Sequence, residues 1–310
     1  MKLSRIAPPR PSTGRSTQVS RVTRDAPGDG PRPGAGHSGV DLFVVPRDGH
    51  PVIEKENVGP VRTTTRRTHV NDLTYQGGRV LKNPGFQPIY VGSYWNTAAG
   101  KADRAHNDAF AKEVVGSDHQ ALLAQYGVQK GTFGGSSVVA RTDPKTFTRD
   151  DVVALVKQQL ASGAVKDGPE MVHMVVLPPG TVLDAGNGVT SKVGLGGFHG
   201  SYTDANGRNI YFGVVAYSKG ANGIDFAGNG RDNLTIVESH EFDEAATDPD
   251  VENGRLGWYH AKYGEIGDLA VNSGLVPLDQ AWGRDAGGFA VQTEWSNQDD
   301  RFETVAPKKR

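Results

Sequence analysis

The chain of 310 residues contains no cysteine. That absence excludes disulfides, thiolate metal sites and a cysteine nucleophile together, and it suits either redox compartment. No run of 18 apolar residues occurs, so no membrane-spanning helix is expected. No apolar stretch follows Met1-Lys2, so no Sec signal peptide is expected either. The chain is therefore read as cytoplasmic, or exported by a non-Sec route. There is no Gly-x-Ser-x-Gly nucleophile elbow and no P-loop. Gly228-Asn229-Gly230-Arg231 lacks the spacing of a phosphate loop and reads as a turn before a helix.

Residues 1–38 have few large apolar side chains and many Pro, Gly, Ser, Thr and Arg. Such a segment cannot bury enough surface to offset the entropy of ordering it, so disorder is expected. The net charge of −1 conceals an asymmetry. Residues 1–70 hold twelve Lys/Arg against six Asp/Glu, a net +6, and the remainder carries −7. A basic leader can dock on an acidic partner or a larger assembly. A solvated flexible leader is the simpler reading, and nucleic acid is not expected as a partner. Residues 39–83 read as a linker with partial order, in which Leu42-Phe43-Val44-Val45 is a strand candidate.

Past Pro84 the pattern alternates strand and helix. Strands are expected over 88–95, 132–141, 172–177 and 210–217, and one or two helices over 102–126, broken near Gly116-Ser117. Thr148-Arg149-Asp150-Asp151 opens a helix like a capping box, with Val152, Val153, Leu155, Val156 and Leu160 on one face. The order implies an α/β or α+β layer, a mixed sheet packed on a helix that follows the Gly-rich loop 220–230.

That helix carries the chemistry. Ser239-His240-Glu241-Phe242-Asp243-Glu244 reads His-Glu-x-x-Glu inside a run from Asp232, the expected N-cap, to Thr247. Asp248-Pro249 supplies the stop. Four residues apart on a helix, His240 and Glu244 share a face and offer an imidazole and a carboxylate to a zinc-type cation. Glu241 lies about 100° round, placed to take a proton from water as a general base. A third protein ligand is needed. Glu265, 25 residues after His240, is favoured. Asp268 can ligate or orient His240 from behind, and Asp250 is the rival after the turn.

The run from Asn233 to Leu269 combines His-Glu-x-x-Glu, Thr-Asp-Pro, Trp-Tyr and Glu-Ile-Gly-Asp-Leu. It resembles the phosphate-induced protein 1 (EXORDIUM) family and its bacterial relatives. Weaker likenesses lie at Ile89-Tyr90-Val91-Gly92-Ser93-Tyr94-Trp95, at 172–179 and at Gly196-Gly197-Phe198-His199-Gly200, so the resemblance covers about residues 84–274. It implies a zincin-like fold over residues 84–310 and a metal site at His240, Glu244 and the Glu265/Asp268 pair. The chain departs from the family in having Ala270 where relatives often carry a cysteine, and in lacking their secretory leader.

His199 is read as a candidate catalytic group that touches substrate or an oxyanion, against a histidine held by local loop hydrogen bonds. His260 and Tyr263 are read as packing residues. Asp248, Asp250 and Glu252 invite a calcium reading, but Gly254 comes one place too late for an EF-hand loop, so calcium is the less favoured expectation there. The expected function is a zinc-dependent metallohydrolase, a peptidase acting on peptide or protein, with Glu241 as base. The alternative is an inactive, metal-stabilised interaction protein with a delivery leader. Two anionic ligands would acidify a zinc-bound water less than neutral ones, so an alkaline optimum is expected.

Overall fold

The longest apolar runs become the central strands of one mixed sheet. A computed structural model describes the strand formed by residues 42–44, together with residues 70–218 and 222–307. The leader 1–38 and the rest of 39–69 lie outside the described residues, so the disorder expected of the leader concerns residues not described. The first half of the chain forms β1 (Leu42–Val44), β2 (Thr74–Tyr75), β3 (Gly85–Val91), helix α1 (Ala98–Val114), β4 (Thr132–Phe133), β5 (Ser137–Val139) and β6 (Thr146–Thr148). Helix α2 (Arg149–Ala161), β7 (Met171–Val176), β8 (Val182–Gly186), β9 (Val189–Thr190), β10 (Leu195–Thr203) and β11 (Asn209–Val215) follow. The last third holds helix α3 (Gly230–Thr247), β12 (Trp258–Tyr259), helix α4 (Ile266–Asn272), β13 (Trp282–Arg284), β14 (Ala290–Gln292), β15 (Glu294–Ser296) and β16 (Arg301–Glu303).

The main sheet runs β1-β10-β11-β7-β3-β4, with β5 continuing along the β4 edge of β3. β11, β7 and β3 are parallel neighbours, and β10 and β1 are antiparallel additions at one edge. Side chains alternate between faces with period two. Phe86, Tyr90, Val172, Met174 and Val176 pack on one face with Phe110 of α1 and Val237 and Phe242 of α3. Ile89, Val91, Val175, Phe198 and Val214 pack on the other, against Val152, Leu155 and Val156 of α2. The result is a helix–sheet–helix sandwich of mixed α/β class, as the sequence pattern implies.

Upstream of Pro84, Leu73 and Leu81 are buried in the core, and Thr74–Tyr75 pairs with Trp258–Tyr259. Several boundaries differ from expectation. The strand expected over 88–95 is Gly85–Val91, because Gly92 (φ 108°) turns the chain into a 3-10 turn over Ser93–Asn96 that buries Trp95. The strand expected over 132–141 splits into β4 and β5 around Gly134-Gly135. Asp232 does not cap α3. Asn229 does, its side chain accepting from the Asp232 amide at 2.9 Å, so the helix starts three residues earlier than expected. Asp232 instead receives Arg284. The 148–151 capping box forms as read, with Thr148 and Asp151 exchanging hydrogen bonds. No described helix is long and apolar enough to cross a membrane.

Candidate metal centre

Helix α3 lies between the sheet and the C-terminal strands, and every residue from Asp232 to Thr247 is buried. His240, Glu241 and Glu244 cannot reach water, so they must find partners inside. Two other elements meet them. Strand β10 carries His199 on the face directed at α3, in register with Gly213 of β11, while Phe198 points to the α2 side. His199 thus sits on a strand, not in the loop envisaged for it. Glu265, the residue that caps α4, arrives from the opposite side.

These five residues are at most 2 % exposed. His240 Nε2 lies 3.2 Å from Glu244 Oε2. His199 Nδ1 is 3.6 Å from both Glu241 Oε2 and Glu244 Oε2, and its Nε2 is 3.4 Å from Glu265 Oε1. Two overlapping ligand groups result, His240 with Glu241 and Glu244, and His199 with Glu244 and Glu265. Glu244 belongs to both. The expected triad of His240, Glu244 and Glu265 does not form one group: Glu265 meets Glu244 by way of His199, and Glu241 stands with His240 among the ligating groups. Asp268 belongs to neither group and accepts from Asn272 at 3.0 Å. Asp250 is held by Ser201 at 2.7 Å and Asn209 at 2.6 Å, away from His240. His260 stacks on Tyr263 and contacts the Val70 carbonyl, a packing role.

Glycines make the approach possible. A Cβ at Gly267 of α4 would collide with the His240 imidazole, and one at Gly197 of β10 would come within 2.6 Å of Glu241 Oε1. Gln292 of β14 fixes the tautomer of His240. Its Nε2 donates to the Gly267 carbonyl at 2.7 Å, so its Oε1 faces His240 Nδ1 at 3.0 Å and accepts that proton. In the neutral imidazole, His240 Nε2 then turns its lone pair toward Glu244. Nothing in the local sequence marks Gln292.

The electrostatics show a cluster short of positive charge. With all three carboxylates ionised it carries −3 when the imidazoles are neutral and −1 when both are protonated. Burial pulls His199 down, but the neighbouring Glu241 and Glu244 outweigh it and hold the imidazole well above its ordinary value. Burial likewise opposes protonation of His240, and Glu244 reverses the direction. Burial would raise Glu244, yet His240 and His199 pull it to about 2. Glu241 is pushed up by burial, which His199 only partly offsets. Both Glu241 carboxylate oxygens and His199 Nδ1 are buried without a hydrogen-bond partner. A divalent cation would answer both the negative excess and the unpartnered atoms, so the residues fit such an ion.

No family model matches the chain, and neither does any curated protein. The fold and this cluster define a mixed α/β protein with a buried histidine–carboxylate centre.

Proposed function

We propose that the chain is a zincin-like metallohydrolase acting on peptide bonds. The observation that carries this is the convergence of His199, His240, Glu241, Glu244 and Glu265 in one buried, negatively overcharged cluster on a His-Glu-x-x-Glu helix. The resemblance of residues 233–269 to the phosphate-induced protein 1 family supports the same reading. A zinc-type cation would bind through Glu244, the residue shared by the two ligand groups, with His240 on one side and His199 and Glu265 on the other. When bound, such an ion supplies Lewis acidity toward a carbonyl group.

The chain's own residues supply the proton chemistry. Glu241 accepts a proton from the attacking water and passes it to the leaving amine. Its raised affinity for protons, set by burial, suits a group that must both take and return one. Gln292 keeps His240 in the tautomer that presents Nε2. Gly197 and Gly267 keep backbone close enough to exclude bulk water from the carboxylates.

A second reading rests on a specific observation. All five side chains are enclosed, as they are in structural metal sites rather than open catalytic ones. On that reading the ion stabilises an interaction protein without turnover. Two measurements separate the readings. Elemental mass spectrometry of the purified chain should find zinc-type metal, with one equivalent lost in His240→Ala. Glu241→Gln should keep its metal and lose hydrolysis of a peptide library by at least about 100-fold. Equal turnover in Glu241→Gln, or metal without turnover in the wild type, moves the conclusion to the structural reading. No metal in the wild type after zinc addition sinks both.

A further inference from the structure

A second set of ligating side chains lies on another side of α3. His119 comes from the bend between α1 and the following 3-10 turn, Asp243 from α3 itself, and Glu294 from the start of β15. They are at most 1 % exposed, and one ligand atom from each lies within 4.8 Å of the others. None takes part in the first cluster.

The hydrogen bonds decide what this set presents. His119 Nδ1 lies 2.6 Å from the Thr304 carbonyl, which can only accept, so Nδ1 carries a proton. His119 Nε2 then faces Asp243 Oδ2 at 2.8 Å. In a neutral imidazole that pair is a lone pair against a carboxylate, which needs either a second proton or a cation. The surrounding atoms favour the cation. Asp243 Oδ1 and Glu294 Oε2 are buried with no hydrogen-bond partner. Glu294 Oε1 receives only a long contact of 3.4 Å from Gln292 Nε2. A proton shared between His119 and Asp243 would leave both of those oxygens unsatisfied, whereas one ion can take an atom from each residue.

We propose that His119, Asp243 and Glu294 form a second, closed site for a zinc-class divalent cation, which ties the C-terminal strands to α3. An imidazole nitrogen with two carboxylates suits such an ion, and the enclosure suits a structural rather than a catalytic site. The Thr304 carbonyl does for His119 what Gln292 does for His240, holding one ring nitrogen protonated so that the other faces the carboxylates. The site does not require the first cluster to be loaded.

The test is a zinc stoichiometry on the full chain. Protein as purified is equilibrated with zinc, gel-filtered and analysed by elemental mass spectrometry. The wild type should hold two ions per chain, Glu294→Gln one, His240→Ala one, and the double variant none. Glu294→Gln is near-isosteric, so it keeps the core filled. Where circular dichroism shows that it does not fold, His119→Gln replaces it. One ion in the wild type that is lost with Glu294→Gln and kept in His240→Ala supports the second site while refuting the first. Equal stoichiometry in wild type and in a folded Glu294→Gln or His119→Gln overturns the proposal and leaves an imidazolium–carboxylate pair beside a protonated Glu294.

Discussion

Helices α2 and α3 cover opposite faces of one sheet, and they are buried by different means. Helix α2 is amphipathic. Val152, Leu155 and Val156 enter the core, while Asp150, Asp151 and Lys157 face outward. Helix α3 is buried all round, yet it carries Glu238, His240, Glu241, Asp243 and Glu244 into the interior. Burial of apolar area stabilises α2 by the ordinary hydrophobic route. The same burial works against α3, because each unpaired carboxylate taken from water costs several kcal/mol. The contrast teaches that α3 needs its neighbours' chemistry, whereas α2 needs only their shape. On the proposed reading that chemistry is a bound cation.

The sharpest way to break this contrast is to remove metal. A cation present at a thousand times its dissociation constant contributes about 4 kcal/mol. Chelation of the full chain should lower the melting temperature and speed amide exchange in α3, leaving α2 protected until global unfolding. An unchanged melting temperature with unchanged α3 protection would show that protons, not metal, neutralise the carboxylates. The next largest effect lies on α2. Leu155→Ala removes a buried side chain and leaves a cavity, so a loss of about 2–5 kcal/mol is expected in urea titration. The loss should be the same with and without chelator. A chelator-dependent loss would mean that the two faces are not independent.

His173 of β7 sharpens the comparison, since it is a buried polar residue on the α2 side of the sheet. Burial, only slightly opposed by Asp167, holds its pKa down at about 4, and its Nδ1 has no hydrogen-bond partner. The unfolded chain binds this proton at about 6.5. Between these values the unfolded state holds more protons than the folded one. Stability is therefore fully present above about pH 6.5 and is lost as pH falls toward 4, by up to about 3 kcal/mol. His173→Gln should flatten that part of the acid limb in denaturant melts at pH 7 and pH 4.5. An identical slope in the variant would assign the acid sensitivity elsewhere.

How much of this was legible in the sequence follows the same division. Local signals announced α2, because its cap and its apolar stripe lie within thirteen residues. The His-Glu-x-x-Glu pattern announced the face of α3 that bears His240 and Glu244, for the same reason of short-range periodicity. Its start was misjudged because Asn229 and Asp232 are both good capping residues, and the choice falls to Arg284, which claims Asp232 from 52 positions away. His199 was noticed within a Gly-rich segment, and strand alternation would have set it on the side of Gly197. Gln292, His119 and Glu294 carried no signal at all. They reach α3 through short C-terminal strands and an irregular bend, which have no periodicity to read. Whether a centre is bound by three or five side chains is a property of packing between distant segments.

The smallest effect tests the α2 side at its entrance. Thr148 accepts from the Asp151 amide, and Asp151 accepts from the Thr148 amide at 2.9 Å, so two of the otherwise unpaired N–H groups at the helix start are satisfied. Thr148→Ala removes one of these bonds and should cost about 1 kcal/mol in denaturant unfolding. Asp151→Ala should cost a similar amount, and the double variant less than the sum, because each bond orders the partner of the other. Additive losses would mean that the two bonds act separately and that β6 alone holds the helix start in place. Metal content should be unchanged in all three, since α3 lies on the far side of the sheet.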